Sequence, residues 1–359
     1  MVNFMPKLSE ITYFPTLRTR AAELRGLKEL DDARKQKIIP LLTLGSWRGS
    51  PELSKAAEKC VDAMGERPFF MDLSSDSRKV EESWNKLNDS NNAYENWRNF
   101  SKGFKGAIPV VLMQAGAKTR DIVQQASSIE NEYDYVAFRI TDFIAHTALV
   151  ISAVSALKDT SKAIVFIDCQ YIRDSMQAYV VTAISTINTL RKEFPTLLIS
   201  VLSTSFPSST LPFADASKQR GAIGILERDL HSRLGGTPVA IYGDYGSIHA
   251  VVYDDVPVMR WSPRIDYAGF NVWAFERRTG LGTEQGYIEC AKALVGNFGS
   301  DMHNSNIWGE RMILDASKGT LYGKAPASWI AVRVNIHLAR QIDYAEAALQ
   351  GDADLEELI

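Results

Sequence analysis

Short apolar segments alternate with longer amphipathic segments along most of the chain. The apolar segments are rich in Val, Ile, Leu and Phe and do not alternate strictly with polar residues, which is typical of strands covered on both faces. We predict eight strands, at Ile38–Leu44, Phe69–Leu73, Ile108–Met113, Tyr135–Ile140, Ala163–Ile167, Leu197–Leu202, Pro238–Tyr242 and Val256–Arg260. Helical segments lie between most of them. The repeat favours an α/β fold of the (β/α)8 TIM-barrel type, with a doubly wound open sheet as the structural alternative.

The chain departs from this repeat after the eighth predicted strand. Residues 264–278, RIDYAGFNVWAFERR, alternate between apolar and polar on either side of Ala268-Gly269, which predicts a β-hairpin. Helical segments follow near residues 285–295, 307–316 and 326–349. We therefore expect a single domain over residues 1–359, made of a barrel with an N-terminal extension (1–263), the hairpin (264–279) and C-terminal helices packed on the barrel (280–359).

Composition and charge exclude several classes of protein. The 359 residues carry a formal net charge of −3, which gives no bulk attraction to nucleic acid or to anionic lipid. The three cysteines lie far apart and indicate neither a disulfide framework nor a CxxC metal site. The N-terminus lacks the basic start and apolar core of a signal peptide, and no segment approaches the roughly 20 apolar residues of a membrane span. We expect a soluble cytoplasmic protein without membrane or nucleic-acid partners.

Charged residues lie at or near the C-terminal ends of several predicted strands. Each follows an apolar run, and they are Asp72, Arg139, Asp168, Asp244 and Arg260. In a TIM barrel these strand ends, with the loops that follow them, form the active site. A charge buried alone is costly, so each of these residues should be paired or should face a pocket. They form either a ligand site or a structural network that closes the barrel mouth or caps the following helices.

The carboxylates at this mouth are candidate catalytic groups. Asp72, Asp168 and Asp244 can act as general base, as orienting groups or as ligands of a hard divalent cation. His249, five residues after Asp244, is the candidate acid–base group, although a structural histidine is the alternative.

Other residues near the mouth are candidates for ligand binding. Arg139 and Arg260 can clamp an anion, and Tyr245 can donate a phenolic hydrogen bond. Trp47, which an arginine follows, comes after the first predicted strand, and Trp261 comes after the eighth. Because these two strands are neighbours in a closed barrel, the two tryptophans would suit a nucleotide or nucleobase at the mouth. Packing in the core or at an interface is the alternative for both.

Motifs of several enzyme classes are absent from the sequence. None of the five histidines belongs to an HxH, HExxH or HxxE pattern, so we predict no zinc site. No GxSxG nucleophile elbow, no P-loop and no GxGxxG that opens a helix after a strand occurs. A divalent cation held by the carboxylates is the one cofactor that the mouth leaves open.

Four short motifs occur together and in order along the chain. They are Tyr13-Phe14-Pro15 followed by Glu23-x-x-x-Leu27, Ile39-Pro40-Leu41-Leu42, Gly243-Asp244-Tyr245-Gly246, and Arg264-x-Asp-Tyr-x5-Trp273. As a set they resemble the "beta protein" family, which we associate with a T4-type phage protein and which occurs in bacteria, prophages and phages. The resemblance implies a phage-related or mobile-element context and no defined reaction. Family members carry Glu at the end of the first strand, where this chain has Thr43.

Two functions follow as hypotheses. In the first, the chain binds a phosphorylated or nucleotide-like small anion at the barrel mouth, and hydrolysis of that ligand would make it an enzyme. In the second, it is a non-catalytic component of phage–host conflict that binds another protein through the Ser203–Gly221 loop or the hairpin. The charged strand ends favour the first hypothesis. The missing Glu and the absent catalytic motifs favour the second.

Overall fold

The computed structural model describes residues 7–251, 261–303 and 306–349, which contain eleven β-strands. In chain order they are β1 (Tyr13–Arg18), β2 (Leu41–Leu44), β3 (Phe69–Leu73), β4 (Ala107–Val111), β5 (Val136–Ile140), β6 (Ala163–Tyr171), β7 (Leu198–Thr204), β8 (Arg220–Gly224), β9 (Ile241–Asp244), β10 (Arg264–Ala268) and β11 (Val272–Arg277). Strands β1–β7 and β9 form a closed barrel of parallel strands. β1 pairs with β2 on one side and with β9 on the other, so the barrel has no free edge. The predicted α/β barrel is confirmed.

The same residues contain twelve α-helices. They are α1 (Ala21–Lys28), α2 (Asp32–Lys35), α3 (Leu53–Met64), α4 (Glu81–Leu87), α5 (Asn91–Lys102), α6 (Thr119–Glu132), α7 (Ala145–Val154), α8 (Met176–Glu193), α9 (Glu227–Arg233), α10 (Thr283–His303), α11 (Trp308–Ser317) and α12 (Pro326–Leu349). Those up to α9 connect the barrel strands, and α10–α12 form the predicted C-terminal helical region. α3 shows why they form: its buried residues Leu53, Ala57, Cys60 and Met64 recur at helical spacing. Within the described ranges, no helix has the length and apolar character needed to cross a membrane.

The barrel begins one strand earlier than the sequence suggested. β1 occupies a stretch that we interpreted only as a short extended piece, because Pro15, Thr16 and Arg18 interrupt its apolar pattern. The first predicted strand is therefore β2. The predicted eighth strand, Val256–Arg260, lies outside the described residues, and the barrel closes without it through the pairing of β9 with β1.

A second, three-stranded sheet lies beside the barrel. β10 and β11 pair antiparallel, as the alternating pattern of residues 264–278 predicts. β11 also pairs antiparallel with β8, which lies at the end of the segment that we interpreted as a long loop. The last two residues of that loop, Arg220 and Gly221, are thereby held in a sheet, and Arg264 Nη1 donates to Thr210 Oγ1 at 2.8 Å in its first half.

Apolar side chains fill the barrel interior below its C-terminal end. Phe14, Phe70 and Phe166 belong to a buried cluster made almost entirely of alternate strand residues, separate from the cluster that packs strands against helices. Phe166 makes edge-to-face contacts with both other rings at centroid distances of 5.5 Å. We call these three side chains the phenylalanine floor. It excludes water from the lower barrel, so polar groups just above it lie on a low-dielectric surface.

Helix α12 packs closely against α1. A Cβ atom at Gly26 would lie 2.8 Å from Val334 Cβ and 2.9 Å from the carbonyl oxygen of Ala331, so only glycine permits this approach. Asn335 fixes the contact from α12, because its Nδ2 donates to the Gly26 carbonyl at 3.0 Å and its Oδ1 accepts from Gly309 N–H at 2.9 Å. One amide side chain thus joins α1, α11 and α12.

A buried polar network also joins α12 to the barrel. Asp244 accepts hydrogen bonds from Tyr13 OH at 2.6 Å, Tyr242 OH at 3.0 Å and His337 Nε2 at 2.8 Å. The indole N–H of Trp273, which can only donate, lies 3.4 Å from His337 Nδ1. Nδ1 is therefore the acceptor and Nε2–H the donor, so the ring connects the β10–β11 hairpin to the barrel. One hydrogen-bond partner of the Asp244 carboxylate, His337, is thus 93 residues away in the sequence.

We expect His337→Ala to lower the free energy of unfolding by about 1–3 kcal/mol, because it removes a hydrogen-bond donor from a buried carboxylate. Hydrogen bonds and His337 lower the pKa of Asp244 despite its desolvation. Its contribution to stability is therefore present above the ordinary Asp pKa of about 3.9 and is lost only as pH falls through the lower folded value. Urea unfolding at pH 7 measures the change. His303→Ala, at an exposed position at the end of α10, is the control, and equal unfolding midpoints for the two variants would contradict the assignment.

Candidate active site

A cavity of about 660 Å³ opens at the C-terminal ends of β1–β6. Its volume falls within the range of small-molecule sites. The side chains that decide its chemistry are Arg18, Thr43, Asp72, Arg78, Arg139, His146, Asp168 and Tyr245. A TIM barrel places its active site at this end.

Strand geometry explains why these residues meet. Successive side chains of a strand point to opposite faces, so residues two positions apart share a face. Asp72 and Asp168 each follow a residue of the phenylalanine floor by two positions, and Arg139 likewise follows the interior residue Ala137. A polar layer therefore lies directly above the floor.

Arg139 lies at the centre of this polar layer. Its Nε and Nη2 donate to Asp168 Oδ2 at 2.9 and 2.7 Å, and its Nη1 donates to Asp72 Oδ2 at 2.7 Å. The remaining contacts run from Nη1 to Thr43 Oγ1 and from Nη2 to Tyr245 OH, both at 3.2 Å. Desolvation lowers the pKa of Arg139, but its interactions with Asp168, Tyr245 and Asp72 outweigh it, so the pKa is raised and the guanidinium stays charged.

These contacts use all five N–H donors of the guanidinium. Arg139 therefore does not present a free fork to a ligand, and the sequence-based role of anion clamp does not fit its geometry. It instead holds Asp72 and Asp168 at fixed positions. We call Asp72, Arg139 and Asp168 the central triad.

The two carboxylates of the central triad differ in what they can still accept. Asp168, whose side chain is 1% exposed, also accepts from Gln170 N–H at 2.9 Å and from Tyr245 OH at 2.7 Å. The side chain of Asp72 is 9% exposed and has one partner besides Arg139: the backbone N–H of Leu73 donates to Oδ1 at 2.8 Å. A carboxylate offers about four lone-pair positions. Asp72 is therefore the carboxylate with acceptor capacity left for a ligand.

Tyr245 extends the network from the turn after β9. Its hydroxyl donates to Asp168 and accepts from Arg139, so it has no proton left to donate to a ligand in this arrangement. Burial raises its pKa, with a further contribution from the charge of Asp168. The phenol therefore remains protonated at neutral pH.

Cationic residues form the rim of the cavity beside β1 and β2. A smaller recess, continuous with the main cavity through shared lining residues, is bounded by Arg18, Arg20 and Arg78. Arg18 Nε lies 3.2 Å from a carboxylate oxygen of Glu23, and Arg78 Nη2 lies 2.7 Å from Asp76. We call these three arginines the arginine rim. We did not select them from the sequence: Arg18 and Arg20 fall in the segment Arg18–Lys35, whose mixed charges favour a solvated helix face over an anion-binding patch, and Arg78 lies between a predicted strand and a predicted helix.

His146 is a cavity-lining histidine that the sequence analysis assigned only to a helix. Its Nδ1 lies 3.3 Å from the backbone nitrogen of Thr141 and 3.4 Å from that of Asp142. Asp142 caps the start of α7, since its Oδ1 accepts from the N–H groups of Ile144 and Ala145. The signal for this placement is an Asp two residues after the end of β5 with a His four residues later, which is the second residue of α7.

Two predicted catalytic residues lie away from this cavity. Asp244 points to the outer face of the barrel, since it is one residue out of phase with Tyr245, and its partners there are tyrosines and His337. His249 is half-buried, with Nδ1 2.9 Å from the Phe206 carbonyl oxygen and its ring 4.6 Å from that of Tyr171. Neither lines the cavity.

The predicted tryptophan pair does not meet at the mouth. Trp47 lines a separate cavity on the outer surface, and Trp261 packs against Tyr287 of α10 at a centroid distance of 6.0 Å. Their separation follows from the corrected strand order, because the strand before Trp47 is the second of the barrel. Arg260 lies outside the described residues. Over the ranges that the structure describes, no group of three or more His, Cys, Asp and Glu side chains could hold a metal ion.

We expect Arg139→Met to lower the free energy of unfolding by about 3–5 kcal/mol, because it leaves two buried carboxylates uncompensated. Adding Asp72→Asn and Asp168→Asn to this variant should restore part of the loss, because no charge then remains unpaired. Guanidinium chloride unfolding measures both. Arg233→Met is the control: it breaks an exposed pair with Asp229 and should leave the unfolding midpoint nearly unchanged. A triple variant no more stable than Arg139→Met would contradict the electrostatic account.

Desolvation lowers the pKa of His146, and this outweighs the charge of Asp142 and a backbone hydrogen bond. An NMR titration should therefore place its midpoint below the ordinary His pKa of about 6.5. Because the unfolded chain binds the proton first, this residue's contribution to stability should fall as pH drops below that value. A midpoint at or above 6.5 would contradict the burial of the ring.

Sequence comparisons agree with the motifs noted above. The sequence model of the family described as "Beta protein" matches residues 13–343. The chain is also 42% identical over 350 residues to "Protein beta" of Enterobacteria phage P4, and the alignment covers 97% of this chain and 98% of that protein. This phage relative comes from P4, whereas the resemblance led us to expect a T4-type phage. The chain belongs to the Beta protein family.

Proposed function

We propose that the chain binds a small phosphorylated molecule, of the class of sugar phosphates, in the cavity above the phenylalanine floor. The observation that carries the proposal is that one continuous space joins the acceptor Asp72 to the arginine rim. A carboxylate accepts from hydroxyl groups, and guanidinium groups bind phosphate. A phosphorylated polyol carries both kinds of group on one small molecule.

The orientation of the ligand follows from the positions of these groups. Its hydroxyl groups lie toward Asp72, and its phosphate lies toward Arg18 at the end of β1 and Arg78 in the loop after β3. The central triad fixes Asp72 before the ligand arrives, so little side-chain entropy is lost on binding. Arg139 is thus a positioning residue in this proposal and does not contact the ligand.

The proposal covers binding and leaves hydrolysis aside. A hydrolytic step would need a general base within reach of the attacking water. His146 and Asp72 line the cavity and are the groups that could take this role. The predicted acid–base residue, His249, lies elsewhere, so the geometry supports a binding protein before it supports an enzyme.

Protein binding is the second candidate function, in keeping with a family that has a phage member. It is supported by two large apolar side chains exposed to solvent, Ile144 at the start of α7 (90%) and Val181 on α8 (60%). The Ser203–Gly221 loop supports it less well than the sequence suggested, because its end pairs with the hairpin as part of β8. A partner-binding protein would not need the cavity to be occupied.

Thermal unfolding with ribose 5-phosphate and with ribose tests the first proposal. Ribose 5-phosphate should raise the Tm more than ribose does, since a ligand that binds only the folded state stabilises it. Asp72→Asn and Arg18→Gln should each weaken binding about tenfold or more, because a hydrogen bond to a charged group is worth about 1.5–3 kcal/mol. Arg233→Gln, on α9, should leave the shift unchanged. Equal shifts in all four proteins, or no shift in the wild type, would reject the proposal.

A further inference from the structure

A second cavity, of about 500 Å³, lies on the outer surface away from the mouth. It lies between α1, α3, the turn after β2 and the start of α12. We call it the outer cavity. Its charged lining residues are Arg25, Lys28, Arg48, Lys59 and Asp62. Four cations thus face one anion across a space of small-molecule size.

Pairing leaves this cavity with uncompensated positive charge. Lys59 Nζ lies 2.5 Å from Asp62, and Arg25 Nη2 lies 2.6 Å from Glu29 of its own helix. Lys28 and Arg48 form no salt bridge among the residues that the structure describes, although Lys28 lies near enough to help lower the pKa of Asp62, and both are exposed. Two positive charges therefore remain after the ion pairs are counted. The start of α12 adds the positive end of a long helix, with Ser328 in its first turn.

An aromatic side chain lies beside these charges. Trp47 is partly buried, and the guanidinium of Arg48 lies 5.5 Å from its ring centroid. The backbone is arranged for this contact: Arg48 has a φ of 49°, a left-handed conformation that side chains other than glycine rarely adopt, and Gly49 follows with a φ of 79°. The Ser50 N–H closes the turn by donating to the Trp47 carbonyl at 2.9 Å. Such local strain persists where the surroundings enforce it and is concentrated at ligand sites.

The far wall of the outer cavity is made of small side chains. Ala21 and Ala22 of α1, Ala63 of α3 and Ala327 and Ala331 of α12 leave room for a flat group. Tyr322 adds a second aromatic side chain next to the start of α12. An aromatic surface with adjacent cations binds bases by stacking and phosphates by charge.

We propose that the outer cavity binds a nucleotide carrying two or more phosphates. Its base stacks at the Trp47–Arg48 pair, and its phosphates lie between Lys28, Lys59 and the start of α12. The positive charge is confined to a cavity and the whole chain has a net charge of −3, which favours a mononucleotide over a nucleic-acid chain. From the sequence we expected Trp47, with the arginine that follows it, to bind a nucleotide at the barrel mouth. In this proposal the same two residues bind a nucleotide in the outer cavity.

Isothermal titration calorimetry of the full chain with ADP and with pyrophosphate tests this inference. Lys28→Glu combined with Arg48→Glu should weaken binding of both ligands tenfold or more. Trp47→Leu should weaken ADP binding several-fold and leave pyrophosphate binding nearly unchanged, since only ADP has a base to stack. Lys162→Glu combined with Lys192→Glu, on elements that flank β6 across the barrel, is the charge-matched control and should bind as the wild type does. Circular dichroism checks that each variant is folded.

The mouth variant Asp72→Asn separates this site from the proposed function. It should bind ADP with wild-type affinity. Loss of ADP binding in Asp72→Asn with full binding in the Lys28→Glu, Arg48→Glu protein would overturn the inference and place the nucleotide at the mouth. Absence of ADP binding by the folded wild type at millimolar concentration would overturn it too, and would leave the ribose 5-phosphate test unaffected.

Discussion

The ion triad of Asp72, Arg139 and Asp168 is the interaction on which the upper barrel depends. It lies directly above the phenylalanine floor, where an unpaired charge would be costly. Three strands, β3, β5 and β6, each contribute one member. Because the guanidinium satisfies both carboxylates, the barrel can keep charged side chains at its centre without unfolding. The same pairing fixes the shape of the cavity above it.

This constraint gives each residue of the mouth a distinct role. All N–H donors of Arg139 have partners within the protein, and Asp168 and Tyr245 have little hydrogen-bonding capacity left. Asp72 alone among the four retains acceptor capacity next to the cavity. The groups available to a ligand therefore lie at the edge of the triad and not at its centre. A charged residue within an apolar segment can thus position the residues of a binding site without contacting the ligand itself.

Much of the barrel and its triad could be predicted from the sequence. The apolar runs located seven of the eight barrel strands, and isolated charges at their ends identified Asp72, Arg139 and Asp168. The alternation of side chains along a strand would have separated Asp244 from Tyr245, had the interior face of β9 been known. That face is set by pairing with β1, a strand hidden by Pro15 and two polar residues. The partner of Asp244 is a histidine on the last helix, and no local pattern indicates a contact over 93 residues.

The C-terminal helices show the same limit of prediction from sequence. Their positions follow from helical patterns, but their attachment depends on single side chains such as Asn335 and His337, which satisfy polar groups on distant elements. Likewise, the chemistry of Trp47 and Arg48 could be inferred from their type and adjacency. Their location in the fold could not be inferred, because it depended on which strand is the first of the barrel.

The central claim is that the cavity above the triad is a binding site whose fixed acceptor is Asp72. Native mass spectrometry of the full chain, purified without phosphate buffers from the cells in which it naturally occurs, tests it most directly. The account predicts a bound small molecule that contains phosphorus and is absent from the Asp72→Asn protein purified in the same way. A chain that carries no small molecule, or one whose bound molecules are all retained equally by the Asp72→Asn protein, would contradict it.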